Sequence, residues 1–353
     1  MTISNLDVIT TDSANDLEWD HFVRIHTEGT IFHSRQWRDI LCNNFGYKPV
    51  HLFAYNESSK LCGVLPLFVV KSPLTGQRIV SAPFSYICGP IADSDSVSSQ
   101  LVKRAREVLV DLRLKHLEIR MFPSDEGAFP PGSEFTQDNR YSTYILGLKE
   151  PMELWKSLDS GSIRWGIRKA IKDGVKIRSS ISKDDLNSFY RLNLATKQRL
   201  GVPGHPKAFL AAILNDFGEN ARLYLAEYNN RIIAGIITIA HGKTVLYAYG
   251  AADNAFLIHQ PYNLLLWTAI EDASKHGFLQ FDFGRVSPSE PGLAAFKRRW
   301  GATEKRLVYY YYPSGKGSFS QDQRGLQMAS KLWKLIPPQV VGPLSNILFR
   351  HIG

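Results

Sequence analysis

Trp37, Leu41 and Phe45 recur at i, i+4, i+8 and stop before Gly46, a pattern that predicts an amphipathic helix closed by a glycine. The same pattern returns 172 residues later as Phe209, Ile213 and Phe217 before Gly218. After each helix comes a strand, a short polar turn and a second strand: 51–70 in the first copy and 223–240 in the second. Ala54 and Gly63 in the first are matched by Ala226 and Gly235 in the second. Each copy then closes with helix, loop and strand, at 101–122 and 262–284. The chain therefore reads as a duplicated α/β (α+β) module, a mixed sheet with helices packed on it. In the second copy a strand at 244–249 leads through a loop to a helix from about 261. Such a helix start can offer backbone N–H groups to a phosphate.

Two segments fall outside the repeat. In 151–178, Arg164, Arg168 and Lys172 share one helical stripe beside Ile163, Ile167 and Ile171. On spacing alone this is either an ordinary solvated face or a cationic rail for phosphates. After Tyr312, residues 313–323 read as a loop. Residues 324–336 read as a basic amphipathic helix stopped by Pro337 and Pro338. The tail to Gly353 is expected to cap the core or to touch a membrane surface.

Composition narrows the function. The chain has 353 residues, 44% apolar and 21% charged, the profile of a globular protein of about two domains. No apolar run reaches the roughly 18–20 residues of a membrane span, and the N-terminus lacks a secretory pattern. Cys42, Cys62 and Cys88 are scattered, without a CxxC pair, and read as free thiols in a reducing cytoplasm. The charge of +9 is uneven: residues 1–150 carry −3 (15 basic, 18 acidic) and residues 151–353 carry +12 (27 basic, 15 acidic). An anionic partner would therefore meet the second half. The GKT at 242–244 lacks the earlier P-loop glycine, since Ile237 stands there, and it sits in an expected hairpin. GxGxxG, HExxH and GxSxG do not occur, and the ten histidines show no metal-ligand spacing. Dinucleotide oxidoreductases, zinc hydrolases and nucleophile-elbow hydrolases are disfavoured, and no metal is expected.

The string FDFGRVSPSEPGLAAFKRRWGA (281–302) resembles the Fem-type (FemA/FemB-like) transferases of the GNAT acyltransferase superfamily, which carry tandem GNAT domains. Similar pieces are Asn263–Trp267 with Ile270, Arg199–Pro203 with Pro206 and Phe209, and Arg164–Val175. Gly63–Leu67, Val80–Phe84 and the C-terminal LWKLIPPQVVGPLSNILFRHIG are like a subgroup associated with exopolysaccharide and exosortase systems. The resemblance spans about residues 30–350. Two family features are missing: a long helical hairpin between Lys183 and Phe217, and a Q/R-x-x-G-x-G/A coenzyme-A loop, where HQPYN (259–263) stands instead.

The resemblance implies two tandem GNAT-like domains and a tail. These are 1–150, degenerate and shaping the acceptor groove; 151–312, catalytic; and 313–353. It implies an N-acyltransferase of the 2.3 class, taking acyl-CoA or aminoacyl-tRNA as donor and an amine of a cell-envelope or exopolysaccharide precursor as acceptor. Asp282 would bind the amine or relay its proton, Lys297 would offset developing negative charge, and Tyr249 would orient the amine. Arg164, Arg168, Lys172, Arg199 and Arg285 would bind a phosphate-bearing acceptor, nucleotide- or lipid-linked, or tRNA. Asn263 and Gln260 would bind the donor. His205, between Gly204 and Pro206, reads as a rigid turn more readily than as a base. The expected place is the cytoplasm, with the tail free to meet the inner membrane face. Two rivals remain: an aminoacyl-tRNA-dependent enzyme building peptidoglycan bridges, and a non-catalytic nucleic-acid-binding or adaptor protein. The second lacks RRM, helix-turn-helix and zinc-finger patterns.

Overall fold

The computed structural model describes residues 7–11, 16–73, 76–123, 129, 134–180, 182–313 and 323–352. Of these, 7–142, 306–313, 351 and 352 form one unit, and 143–305 with 323–350 form the other.

In the first unit the order is β1 (Asp7–Thr11), α1 (Asp16–Ile25), α2 (Arg35–Phe45), β2 (Lys48–Pro49), β3 (His51–Tyr55), β4 (Leu61–Leu65), β5 (Phe68–Ser72), β6 (Gly76–Val80), β7 (Ile91–Ala92), α3 (Asp95–Asp111) and β8 (His116–Met121). Strand β9 (Thr136–Gly147) starts here and ends in the second unit. Helix α2 is the one expected at 37–45. The Ser34 hydroxyl accepts from the Trp37 N–H at its start, and Gly46 at φ +67° closes it in the left-handed region that glycine enters without strain. One antiparallel sheet runs β1-β3-β4-β7. A second pairs β2 with β5, β5 with β6 and, in parallel, β6 with β8. Trp19, Phe53 and Val64 fill one core cluster, and Leu52, Leu101 and Ile119 another.

The second unit continues with α4 (Pro151–Ser157), α5 (Trp165–Lys172), β10 (Lys176–Ser180), α6 (Lys183–Leu200), α7 (Lys207–Asp216), β11 (Ala221–Tyr228), β12 (Arg231–His241), β13 (Thr244–Ala252), α8 (Pro261–Lys275), β14 (Gln280–Val286), α9 (Pro291–Arg299), β15 (Thr303–Tyr312), α10 (Gln323–Lys334) and α11 (Pro338–Phe349). The 172-residue offset lands α2 on α7, β3 on β11, β4 on β12 and β8 near β14. Asn229 and Asn230, both at positive φ, make the two-residue turn between β11 and β12. Gly242 at φ +54° opens the turn from β12 to β13, so the GKT triplet is a hairpin turn, as its spacing predicts. The fold is thus mixed α/β, with antiparallel β10-β11-β12-β13 continued by parallel β14.

Three expectations differ in detail. Ile163 and Ile167 are buried, but Ile171 is exposed. The chain before α5 makes a π-turn at Ser160–Arg164, in which Arg164 N–H reaches back five residues to the Asp159 carbonyl. The wider turn moves the buried face onto Gly166 and Ala170. The unit boundaries also differ from 150 and 312. The end of β15 pairs with β8 in the first unit, and the tail helices pack on α6 in the second. The tail holds two helices rather than one, because the prolines at 337 and 338 end α10 and Pro338 then opens α11. Of the loop expected at 313–323, residues 314–322 lie outside the described residues.

Candidate active site

The site starts from a fork in the second unit's sheet. Strands β13 and β14 pair in parallel over only three positions, Thr244–Leu246 against Gln280–Asp282. Beyond them both strands continue, to Ala252 and Val286, without pairing to each other. On its other edge β13 carries a bulge, since Ile237 pairs with Tyr249 and Thr238 with Tyr247. A bulge bends and twists a strand away from its neighbour, which accounts for the opening.

The motif at 281–302 builds the β14 side of this fork. Phe281, Phe283 and Trp300 are buried and pack on one another, with ring centroids 5.1 and 6.1 Å apart. Asp282, between the two phenylalanines, points to the opposite face. It is buried, and its Oδ1 accepts from the Thr143 hydroxyl at 2.6 Å and the Gly284 N–H at 2.8 Å. Gly284 sits at φ +72°, a backbone state that a Cβ would strain. Lys297 of α9 is only 3% exposed. Its ammonium donates to the carbonyls of Phe283 at 2.6 Å, Gly284 at 2.7 Å and, more weakly, Arg285 at 3.4 Å. These are the β14 carbonyls just past the last β13 pair, so the lysine braces β14 where it has parted from β13. Burial pushes its pKa down to about 8, against the opposing pull of Asp282 and Glu290. A cation with its pKa lowered to about 8 can stabilise a developing oxyanion or pass a proton once it exchanges its weak bond to the Arg285 carbonyl.

Not every expected residue joins them. Tyr249 packs edge-on against His205 at 4.6 Å and faces Phe209. His205 is buried, paired with Asn193, and driven far below the usual histidine range by burial. It is a neutral core group at a turn, as Gly204 and Pro206 suggest, and not a surface base. Arg285 lies exposed on β14 next to the fork.

Donor binding at Asn263 and Gln260 meets a packed helix start. Asn263 is buried against Gly166 of α5: a Cβ at Gly166 would fall 1.9 Å from its Nδ2. Its side chain donates to Gln260 Oε1 at 3.2 Å. The loop ahead of α8 also uses its own N–H groups. Asp253 Oδ1 accepts from Ala255, the Asp253 carbonyl from Phe256, the Leu257 carbonyl from Gln260 and the Gln260 carbonyl from Asn263. Pro261, the first residue of α8, has none to give. His259 is tied to Asp173 at 2.7 Å and stacks on Tyr228. Four of the N–H groups expected to serve a phosphate at this helix start are thus engaged within the loop and its helix start.

The basic stripe is split as well. Arg168 and Lys172 are exposed, Arg168 lying over the Trp155 ring, whereas Arg164 is half-buried. Arg199, in the last turn of α6, lines a cavity of about 680 Å³ with Arg191, Thr196, Arg231 and Asp253. Arg231 is paired with Asp253 at 2.6 Å, while Arg191 and Arg199 are exposed. Lys197, in the last turn of α6 but off the cavity lining, is a residue that pattern reading missed. It is half-buried with its pKa lowered by burial, and Glu290 acts on both Lys197 and Lys297. Thr143 was missed too, because it lies 139 residues from Asp282. Among the described residues no group of His, Cys, Asp and Glu is placed to hold a metal.

A family model described as an acetyltransferase (GNAT) domain matches residues 160–298. The UDP-N-acetylmuramoylpentapeptide-lysine N(6)-alanyltransferase of Weissella viridescens is 19% identical over 271 residues, covering 69% of this chain and 76% of that protein. The crystal structure of FemX superposes with a TM-score of 0.66 at 16% identity, over 92% of this chain and all of that one. A tandem GNAT protein from the clavulanic acid biosynthesis pathway gives 0.56 at 12% identity, over 89% and 100%. The fold is the tandem GNAT arrangement, and the chain is a GNAT-type acyltransferase with Fem-like relatives. The non-catalytic alternative gives way to that result.

Proposed function

We propose that the second unit transfers an aminoacyl group from an activated ester to a primary amine of a phosphate-bearing cell-envelope precursor. The fork between β13 and β14, with Lys297 and Asp282 at its base, is the observation that carries this reading. The acceptor amine attacks the donor carbonyl, an N–C bond forms and the ester C–O bond breaks. The proton lost by the amine ends on the leaving oxygen. Lys297 turns toward the oxyanion the N–H that it spends only weakly on the Arg285 carbonyl, and its lowered pKa suits it to relay that proton. Asp282, held by Thr143 and Gly284, orients the amine in this reading. Arg199 and Arg191 at the cavity mouth suit the acceptor's phosphate.

An aminoacyl-tRNA donor fits better than acyl-CoA. Ala255, Phe256, Gln260 and Asn263 already spend their N–H groups internally, Pro261 has none, and Asp253 adds a carboxylate to the same loop, an unfavourable neighbour for a pyrophosphate. The Weissella relative, named for alanyl transfer to a lysine N(6), supports the same direction. An exopolysaccharide precursor as acceptor rests on the likeness of Gly63–Leu67, Val80–Phe84 and the C-terminal segment alone.

Full-length protein given radiolabelled alanyl-tRNA and a UDP-linked muramoyl pentapeptide is expected to yield labelled peptide, abolished by ribonuclease. Transfer from acetyl-CoA that survives ribonuclease would sink the donor assignment and keep the transferase.

A further inference from the structure

The transfer reading leaves one surface unexplained: the outer face of α10 and α11. α10 has a fixed inner side. Trp333 is buried, Ser330 lies under Gly201 at the end of α6, and Gln198 of α6 donates to the Ile336 carbonyl at 2.5 Å. A Cβ on Gly201 would fall 2.0 Å from the Ser330 hydroxyl, so the helix is closely seated. Its outer side is apolar. Met328, Leu332 and Leu335, spaced i, i+4, i+7, are 66%, 63% and 79% exposed. α11 repeats the division. Val341, Ser345 and Phe349 are buried, with Ser345 accepting from the Gly204 N–H, while Val340 and Ile347 face out.

Charge completes the pattern. Residues 324–353 contain Arg324, Lys331, Lys334 and Arg350 and not one Asp or Glu. Lys331 and Lys334 are exposed and alternate with Leu332 and Leu335. A seated helix with large apolar side chains outward, bordered by lysines, suits a lipid headgroup region that takes up both. A second copy of the chain would oppose lysines to lysines across the contact. A nucleic acid would satisfy the lysines and leave Met328, Leu332 and Leu335 in water.

We propose that the outer face of α10 and α11 docks on an anionic lipid bilayer, with Met328, Leu332 and Leu335 entering the headgroup–acyl boundary. No helix among the described residues is long and apolar enough to cross a membrane, so the contact is peripheral. Docking does not depend on the transfer chemistry. Because α10 packs on α6, it would also bring the helix bearing Arg191 and Arg199 toward the leaflet.

The test is co-sedimentation of the full chain with phosphatidylcholine vesicles, with and without phosphatidylglycerol. The expected result is binding to the phosphatidylglycerol vesicles that weakens with salt. Leu332→Glu with Leu335→Glu should lower it by about tenfold or more, and Lys331→Glu with Lys334→Glu should lower it as well. Both pairs are exposed, so an unchanged unfolding midpoint should accompany the loss. The proposal is overturned by equal binding to phosphatidylcholine alone, by binding that the substitutions leave intact, or by no binding. Concentration-dependent dimerisation abolished by Leu332→Glu, without vesicle binding, would assign the face to self-association instead.

Discussion

Replacing Lys297 with methionine is expected to lower kcat by about 10²–10³, the usual cost of removing a preorganised charge from a developing oxyanion. Methionine keeps the aliphatic stem and deletes the ammonium. It leaves the Phe283, Gly284 and Arg285 carbonyls without their shared donor. A stability loss of about 1–3 kcal/mol should follow, so the kinetic comparison needs circular dichroism to show that the variant is folded. The pH profile separates the two effects. The pKa of Lys297 lies near 8, below the ordinary lysine value, so its cationic form is lost as pH rises through about 8. Activity that needs the cation falls there. Between that pH and the ordinary lysine range the folded chain has shed a proton that the unfolded chain still holds, so this group's burial penalty shrinks and stability gains. Activity falling while this lysine's contribution to stability improves cannot be unfolding. A descending limb that persists unchanged in Lys297→Met would assign it to another group.

The second large effect belongs to the contact between α5 and α8. Gly166→Val is expected to destabilise the second unit by about 3 kcal/mol. Its Cβ alone would lie 1.9 Å from Asn263 Nδ2 and 2.9 Å from Asn263 Cγ. Asn263 has little room to yield, since it is buried and bonded to Gln260. Gly166→Ala should cost less, and adding Asn263→Ala should recover part of that loss, with a coupling of about 1–2 kcal/mol in a double-mutant cycle followed by urea unfolding. Strict additivity would mean that the two residues do not share the contact. The cycle also bears on donor choice, because strong coupling would show how firmly Asn263 is held in packing under α5.

Much of the fold was legible because its signals are local. Ser34 and Gly46 bracket α2, Asn229–Asn230 turns β11 into β12, and the same spacing returns 172 residues on. The FDFG…FK..WG string was legible as a unit, and the structure supplies the reasons for its letters. The aromatics fill the core, Gly284 and Gly301 occupy positive φ, and Lys297 reaches the β14 carbonyls. What was not legible depends on long-range packing. Ile171 has the right spacing for burial, but the π-turn at 160–164 shifts the face and leaves it in solvent. Tyr249 lies on the expected strand, yet the bulge in β13 accompanies a ring that meets His205 and Phe209. Asn263 looks like a helix-start ligand until α5 is packed over it. The pairing of Thr143 with Asp282 joins β9 to β14, and no local pattern announces it.

The central claim is that the donor enters the fork between β13 and β14. Hydrogen exchange followed by mass spectrometry, with and without a non-hydrolysable aminoacyl-tRNA analogue, tests it most directly. The account predicts slowed exchange in peptides covering 247–252 and 283–297 at saturation. Saturable binding with slowed exchange confined to other segments, and those two unchanged, would contradict it.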